Sequence, residues 1–172
     1  MGTLPFYIAF GVCFICFAIR TSYHVLANRG SRLAENRKFI TILFVTMFFL
    51  WLSWFWMSFT DPYEMALPLW ARYTGLAFFI IGVCLFIFSH RTIKGEASDK
   101  LIASGIYSKI RHPMYLGFII WVIGFPIFTN ATFTLASAII WIPHILYWRI
   151  SEERQLERKY KDYQEYKKKT WF

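Results

Sequence analysis

A short polar segment ahead of an apolar run holds several side chains that could do chemistry. Residues 105–117 contain, in order, a Gly-x-Tyr pair, Arg-His-Pro, and a tyrosine before a second glycine. Pro113 suits the first turn of a helix, where a missing N–H costs nothing. The unpaired N–H groups of such a turn favour a carboxylate or phosphate neighbour. The sequence therefore predicts a binding site at the mouth of an apolar helix, although an ordinary interfacial histidine is the alternative for His112.

A second polar segment begins at residue 149 and brings two adjacent glutamates, Glu152 and Glu153, close to a cation. Arg149 and Glu153 are four residues apart, so on a helix they share one face. An apolar stripe at helical spacing then predicts an amphipathic tail helix packed on the body. The stripe consists of Leu156, Tyr160 and Tyr163. A solvated charged face is the alternative for the two glutamates, and a ligand-binding carboxylate is the functional interpretation.

Composition places both segments on a membrane protein. The chain has 172 residues, of which 57% are hydrophobic and 22% aromatic, and its net charge is +9. A soluble protein this apolar would expose large adhesive patches, whereas cationic loops between apolar runs suit a bilayer with anionic lipid. The basic residues are divided among several loops and do not follow one face, so we expect no nucleic-acid partner.

Five apolar runs predict an all-α, polytopic membrane protein with about five transmembrane helices. They lie at about 4–20, 39–59, 65–89, 114–128 and 132–148. The last two are short and are joined by a tight turn at 129–131, which predicts a C-terminal helical hairpin. We expect one membrane domain over residues 1–172, with a three-helix N-terminal part (1–90) and a second part (91–172) that holds both polar segments. The first run is expected to be a retained helix and not a signal peptide.

Lysine and arginine predict how the chain crosses the membrane. Residues 20–38 hold five of them, residues 90–112 hold five, and the segment from 149 onward holds eight, whereas the turns at 60–64 and 129–131 hold none. Five spans place all three basic segments on one side, which the positive-inside rule makes cytoplasmic. The N-terminus is then outside.

The cysteines do not predict a metal or redox site. Cys13 and Cys16 form a C-x-x-C pair inside an apolar run, without a second pair of ligands nearby. Such cysteines are expected to pack as small apolar residues, and we predict no metal.

The two polar segments together resemble the isoprenylcysteine carboxyl methyltransferase family and its phospholipid methyltransferase relatives. The resemblance covers about 99–172, while the first 90 residues match only as generic membrane helices. The first motif reads Gly105-Ile-Tyr107-Ser-Lys-Ile-Arg111-His112-Pro113-Met114-Tyr115-Leu-Gly117, and the second reads Glu152-Glu153-Arg-Gln-Leu156 followed by Tyr160, Tyr163 and Tyr166. Membership implies an integral membrane enzyme that uses S-adenosylmethionine without a Rossmann domain.

The resemblance also implies which residues bind this cofactor. They are Asp99, Lys100, Leu101, Ile102, Gly105, Tyr107, His112, Pro113, Met114, Tyr115, and Glu152 or Glu153. In the family an arginine four positions before the glutamate pair faces the substrate. Here Trp148 occupies that position and the arginine is Arg149.

The implied reaction is a displacement at a methyl carbon by a nucleophile from a lipophilic, membrane-embedded substrate. A carboxylate of isoprenylcysteine type needs no general base, and Arg149 would position it. A phospholipid amine headgroup is the alternative acceptor and needs a proton acceptor such as Glu153. Two further alternatives are a reductase of the sterol-reductase type that binds NADPH and a non-catalytic membrane protein. The sequence leaves the acceptor and the oligomeric state open.

Overall fold

The computed structural model describes residues 3–31, 36–95 and 100–172, and within these ranges the chain is helical. The helices are α1 (Leu4–Asn28), α2 (Arg37–Thr60), α3 (Leu69–Gly95), α4 (Pro113–Thr129), α5 (Thr132–Ala136), α6 (Ala138–Lys159) and α7 (Tyr163–Lys169), with a 3₁₀ turn at Gly105–Ser108. The described parts contain isolated bridges but no extended strand. The prediction of an all-α protein is confirmed.

Among the described residues, four helical segments are long and apolar enough to cross a membrane, and a fifth apolar helix is shorter. The four are α1, α2, α3 and the segment Thr132–Lys159, while α4 has 17 residues. Large apolar side chains cover the outside of the bundle; Phe44, for example, is 75% exposed. Burying such a surface requires lipid. The chain is thus a multi-pass membrane protein, as predicted.

Two boundaries differ from the predicted ones. Helix α3 begins at Leu69 and not at residue 65, because residues 65–68 are outside any helix and Met65 N–H donates to the carbonyl oxygen of Asn130 (2.8 Å). Helix α6 continues past Arg149 to Lys159, so the first part of the predicted tail helix is the end of the last long helix. Only the short helix α7 is separate. Arg149, Glu152 and Glu153 therefore stand on the same rigid element as the apolar run before them.

Glycines hold α3 and α4 together at backbone contact. A Cβ atom placed on Gly82 would lie 2.7 Å from the carbonyl oxygen of Gly117, and one on Gly75 would lie 2.7 Å from that of Gly124. Small residues allow this approach in membrane helices. The predicted tight turn between α4 and the next helix is present, with Asn130 in the left-handed region (φ 62°). Helix α4 nevertheless makes its closest contact with α3.

The connections separate the molecule into two chemically different ends. At one end the turns at 60–64 and 129–131, which hold no lysine or arginine, lie together. Thr132 N–H donates to the carbonyl oxygen of Tyr63 (3.0 Å), and Asp61 accepts from Thr134 N–H (2.7 Å). At the other end the basic segments meet, since Arg111 lies 3.3 Å from Glu153 and Arg158 contacts the carbonyl oxygen of Asn28 (3.4 Å). We call this second region the basic end. Described residues of the three basic segments thus lie together at this end.

The interior between the ends is aromatic. Phe17 of α1 stacks between Trp141 and Trp148 of α6, with ring centroids at 4.5 and 5.1 Å. Cys13 and Cys16 are buried and unpaired within the same core. These contacts fix α1 against α6 and so fix which α1 side chains reach the basic end.

Candidate functional site

Helix α4 begins at Pro113, as predicted, and the first turn opens into the basic end. His112 precedes it at the N-cap position, and no side chain caps the turn. Its N–H groups are therefore available to an acceptor from outside the helix. Pro113 and Tyr115 are buried and Met114 is partly buried. The motif thus places a polar helix terminus inside an otherwise packed region.

His112 is almost fully buried, with 3% of its surface exposed. Its Nε2 lies 3.4 Å from the hydroxyl of Tyr163 on α7. Burial lowers the pKa of His112 to about 4, and the nearby carboxylate of Glu153 only partly opposes that effect. The ring is consequently neutral at pH 7 and serves as a hydrogen-bonding group, not as a cation.

Glu153 is the centre of an ion-pair network, which we call the Glu153 network. Its carboxylate lies 3.3 Å from Arg111 Nε, 3.4 Å from Arg149 Nη2 and 3.3 Å from Lys167 Nζ. The side chain is only 8% exposed. The three cations come from the lead-in to α4, from α6 itself and from α7. Glu153 thereby joins three elements, and the i, i+4 pair predicted for Arg149 and Glu153 is present.

Further contacts attach the C-terminal segment to the motif that leads into α4. Arg111 Nη1 donates to the carbonyl oxygens of Lys167 and Thr170. Tyr166 donates its hydroxyl to the carbonyl oxygen of Tyr107 (2.7 Å). Burial raises the pKa of Tyr166 to about 12, so this donor keeps its proton at physiological pH. The tyrosine stripe predicted to pack on the body does so at Tyr163, which is 1% exposed.

Glu152 points into a different environment, which we call the Glu152 pocket. Tyr115 of α4 and Arg20 of α1 are its interacting neighbours. Tyr107 lies close enough that the negative charge of Glu152, together with burial, raises the pKa of its phenol. Ser89 of α3 is a further neighbour of Tyr107. Helices α1 and α4 and the 3₁₀ turn therefore converge on Glu152, and none of the five ion pairs among the described residues includes it.

The segment before the 3₁₀ turn is described only in part. Asp99 lies outside the described residues. Lys100 is exposed, and Leu101 and Ile102 are partly buried in extended backbone. Gly105 opens the turn with φ +54°, a conformation that disfavours other residues. The structure thus brings Tyr107, His112, Tyr115, Glu152, Glu153 and Arg149 to one end of the bundle, with Lys100–Ile102 leading into it.

Helix α1 contributes side chains that sequence reasoning missed. Arg20 reaches the Glu152 pocket, and the buried His24 pairs with Ser151 Oγ (3.1 Å). One available signal was their spacing, because polar residues at i and i+4 at the end of an apolar run share a helix face. Which partner that face meets depends on packing between distant segments.

Comparisons with known proteins agree with this geometry. The profile of the isoprenylcysteine carboxyl methyltransferase family matches residues 69–158, just over half of the chain. The match begins where α3 begins and ends near the end of α6, so it includes α4 and both glutamates.

A human relative, protein-S-isoprenylcysteine O-methyltransferase, is 29% identical over 126 residues, which cover 62% of this chain and 42% of the human protein. The chain thus spans less than half the length of that relative. No solved structure matches this chain. With a family match over half its length, the chain is a multi-pass membrane protein that belongs to the isoprenylcysteine carboxyl methyltransferase family.

Proposed function

We propose that this protein transfers a methyl group from S-adenosylmethionine to the carboxylate of a lipophilic, isoprenylcysteine-type acceptor held in the membrane. One observation carries the proposal beyond family membership. The uncapped first turn of α4 lies in one region with Tyr107, Tyr115 and Glu152, and Glu152 is in no ion pair among the described residues. S-adenosylmethionine is an amino acid, so its site needs hydrogen-bond donors for its carboxylate and an acceptor for its ammonium. The first turn of α4 and Glu152 are groups of these two kinds.

The residues present fit this cofactor. The N–H groups at the start of α4, after His112, suit its carboxylate. Glu152 suits its ammonium or its ribose hydroxyls, and the faces of Tyr107 and Tyr115 suit a sulfonium cation. Glu153 is already surrounded by three cations, so we assign it the role of positioning Arg149, Arg111 and α7. Direct roles for Arg149 and Glu153 in the reaction stay predictions.

S-adenosylmethionine supplies an electrophilic methyl group when it is bound. The residues of this chain would bind the cofactor and the acceptor, orient them toward each other and exclude water. Most of the rate of such a displacement arises from these effects. An acceptor carboxylate is ionised at pH 7, so no side chain has to remove a proton. Because its pKa is low, His112 would serve in this site as a neutral hydrogen-bonding group and not as a cation.

We further propose that the basic end faces the cytoplasm and that residues 1–172 act as one membrane domain. Residues 91–172 would hold the cofactor, with Arg20 of the N-terminal part reaching the same site. Single cysteines in a cysteine-free background test the orientation. Ser108→Cys at the basic end should react only with reagent added from the cytoplasm, and Glu64→Cys at the other end only from outside. Reversed labelling would contradict the orientation.

Calorimetry on the detergent-purified protein tests the cofactor. We expect S-adenosylmethionine to bind and NADPH not to bind. Transfer of a labelled methyl group to an S-prenylated N-acetylcysteine, compared with phosphatidylethanolamine, then tests the acceptor. Binding of NADPH alone would replace the proposal by a reductase, and methylation of the amine lipid alone would replace the carboxylate acceptor.

A further inference from the structure

The basic end contains several cations that could hold an anionic substrate, but most of them already have partners. Arg111 contacts Glu153 and two backbone carbonyl oxygens. Arg149 contacts Glu153 on one side and lies over the ring of Phe172 on the other, with 4.9 Å from Cζ to the ring centroid. Lys167 contacts both Glu153 and Glu157. These three side chains are the cations of the Glu153 network.

Arg20 differs from all three. Within the described residues it is in no ion pair. Its Nε is buried without a hydrogen-bond partner, as are those of Arg111 and Arg149. Its guanidinium lies over the rings of Tyr23 and Trp148, at 5.4 and 5.9 Å from their centroids. Aromatic faces hold a guanidinium in place without neutralising it. Arg20 also interacts with Tyr115 and with the charge of Glu152, but it forms no ion pair with that carboxylate. It is therefore a positioned cation that no salt bridge occupies.

The packing of α1 on α6 fixes Arg20 in this location. Next to it, Thr21 Oγ1 accepts from Trp148 Nε1 (2.9 Å) and lies 2.8 Å from His144 Nδ1. One turn further, His24 pairs with Ser151. These polar contacts fix the rotation of α1 about its own axis relative to α6. Arg20 consequently reaches Tyr115 and Glu152, the side chains that we assign to the cofactor.

The surroundings of Arg20 also suit an anion that is attached to an apolar chain. A cavity of about 320 Å³ between α1 and α2 is lined by Cys16 and Val12, which precede Arg20 by one and two helical turns. On α2 its walls include Val45 and Phe49, which are about half exposed on the outside of the bundle. Arg20 does not line the cavity itself but lies one helical turn beyond Cys16. An acyl or prenyl chain that fills the cavity would therefore have to extend by about one turn to bring its polar end to Arg20.

We propose that Arg20 is the residue that binds the carboxylate of the lipophilic acceptor, and that the chain of the acceptor lies in the α1–α2 cavity. This inference rests on the proposed function for the identity of the acceptor. A guanidinium binds a carboxylate through two parallel hydrogen bonds, which fixes both position and orientation. Arg20 thus contributes substrate specificity from outside the segment that matches the family profile.

The test compares binding of an S-prenylated N-acetylcysteine with binding of its methyl ester to detergent-purified protein. Both compounds have the same chain, and only the first has a carboxylate. We expect the wild-type protein to prefer the acid by about 30-fold, the range for a charge-assisted contact. Arg20→Gln should abolish the preference, and Arg20→Lys should restore part of it. Arg29→Gln, which removes the same charge from an exposed position of the same helix end, should leave the preference intact.

Two outcomes would overturn the inference. One is a wild-type protein that does not distinguish acid from ester. The other is an acid preference that persists in Arg20→Gln and disappears in Arg149→Gln. Binding of S-adenosylmethionine to the wild-type protein is measured separately. A wild-type protein that binds no S-adenosylmethionine would contradict the proposed function, whereas the acid-to-ester comparison would still decide the role of Arg20.

Discussion

Two adjacent glutamates on α6 face environments that share almost nothing. Successive residues of a helix point about 100° apart, so Glu153 enters the Glu153 network while Glu152 enters the Glu152 pocket. Glu153 has three cations within 3.4 Å. Glu152 has tyrosines and one unpaired arginine as neighbours, and no ion pair among the described residues. The same side chain therefore stabilises the fold at one position and is available to a ligand at the next.

Because the two glutamates have different surroundings, we expect substitutions at Glu152 and at Glu153 to cause different defects. A change on the Glu153 side leaves buried cations without a counter-charge and should appear as lost stability. A change on the Glu152 side removes a ligand contact and should appear as lost affinity. The variants below test this separation.

Removal of the Glu153 carboxylate should have the largest effect. Glu153→Ala leaves Arg111 and Arg149, which are 11% and 19% exposed, without their shared partner. Breaking a buried ion pair by removing one member costs about 4 kcal/mol. Thermal unfolding in detergent measures the loss. Glu165→Ala is the control, because Glu165 is 67% exposed and its ion pair within the described ranges is with Lys168. Equal stability of the two variants would contradict the role of Glu153.

Glu152→Gln should instead reduce cofactor affinity while the fold is preserved. A charge-assisted hydrogen bond to an ammonium or hydroxyl contributes about 2–3 kcal/mol, so the dissociation constant for S-adenosylmethionine should rise by about 100-fold. Calorimetry gives the affinity and thermal unfolding gives the stability of the same sample. Glu157→Gln, on the same helix, is the matched control. A large loss of stability with unchanged affinity would reverse the assignment of the two glutamates.

His112 should make the protein less stable in mild acid. Its pKa is about 4 in the folded protein and 6.5 in an unperturbed chain. The unfolded state therefore binds more protons between these values, and stability that is present above pH 6.5 is lost as the pH falls toward 4. Between pH 7 and pH 5 the loss is about 2 kcal/mol. His112→Asn keeps a polar side chain at the N-cap position but does not titrate. In this variant, chemical denaturation should show a weaker dependence of stability on pH in this range.

Lys167 should have the smallest effect of the four. Its side chain is 39% exposed and has two acidic partners, Glu153 and Glu157. Water screens such a contact, so Lys167→Ala should lower stability by about 0.5 kcal/mol. Glu153 retains Arg111 and Arg149 in this variant. A loss as large as that of Glu153→Ala would mean that Lys167, and not the pair of arginines, holds the network together.

The sequence predicted which helices and turns form this site better than it predicted which face of each helix is turned toward the site. Long apolar runs and basic loops determine spans and sides, and Pro113 marks the start of α4, because these features depend on local composition. The separation of Glu152 from Glu153 depends on the rotation of α6, which a tail of charged residues does not reveal. The contribution of Arg20 depends on contacts between α1 and α6, which are distant in the chain. Such contacts are set by packing of the aromatic core.

The glycine contacts between α3 and α4 have a consequence for biogenesis. Helix α4 has 17 residues, fewer than the roughly 20 needed to span a bilayer alone, and it begins with a polar turn. Backbone contact at Gly82 and Gly117 gives it a partner that is synthesised just before it. The two helices would then leave the translocon as a pair, with α3 holding α4 until α6 arrives. A bulky residue at Gly117 would be expected to appear first as failed insertion and degradation in the cell.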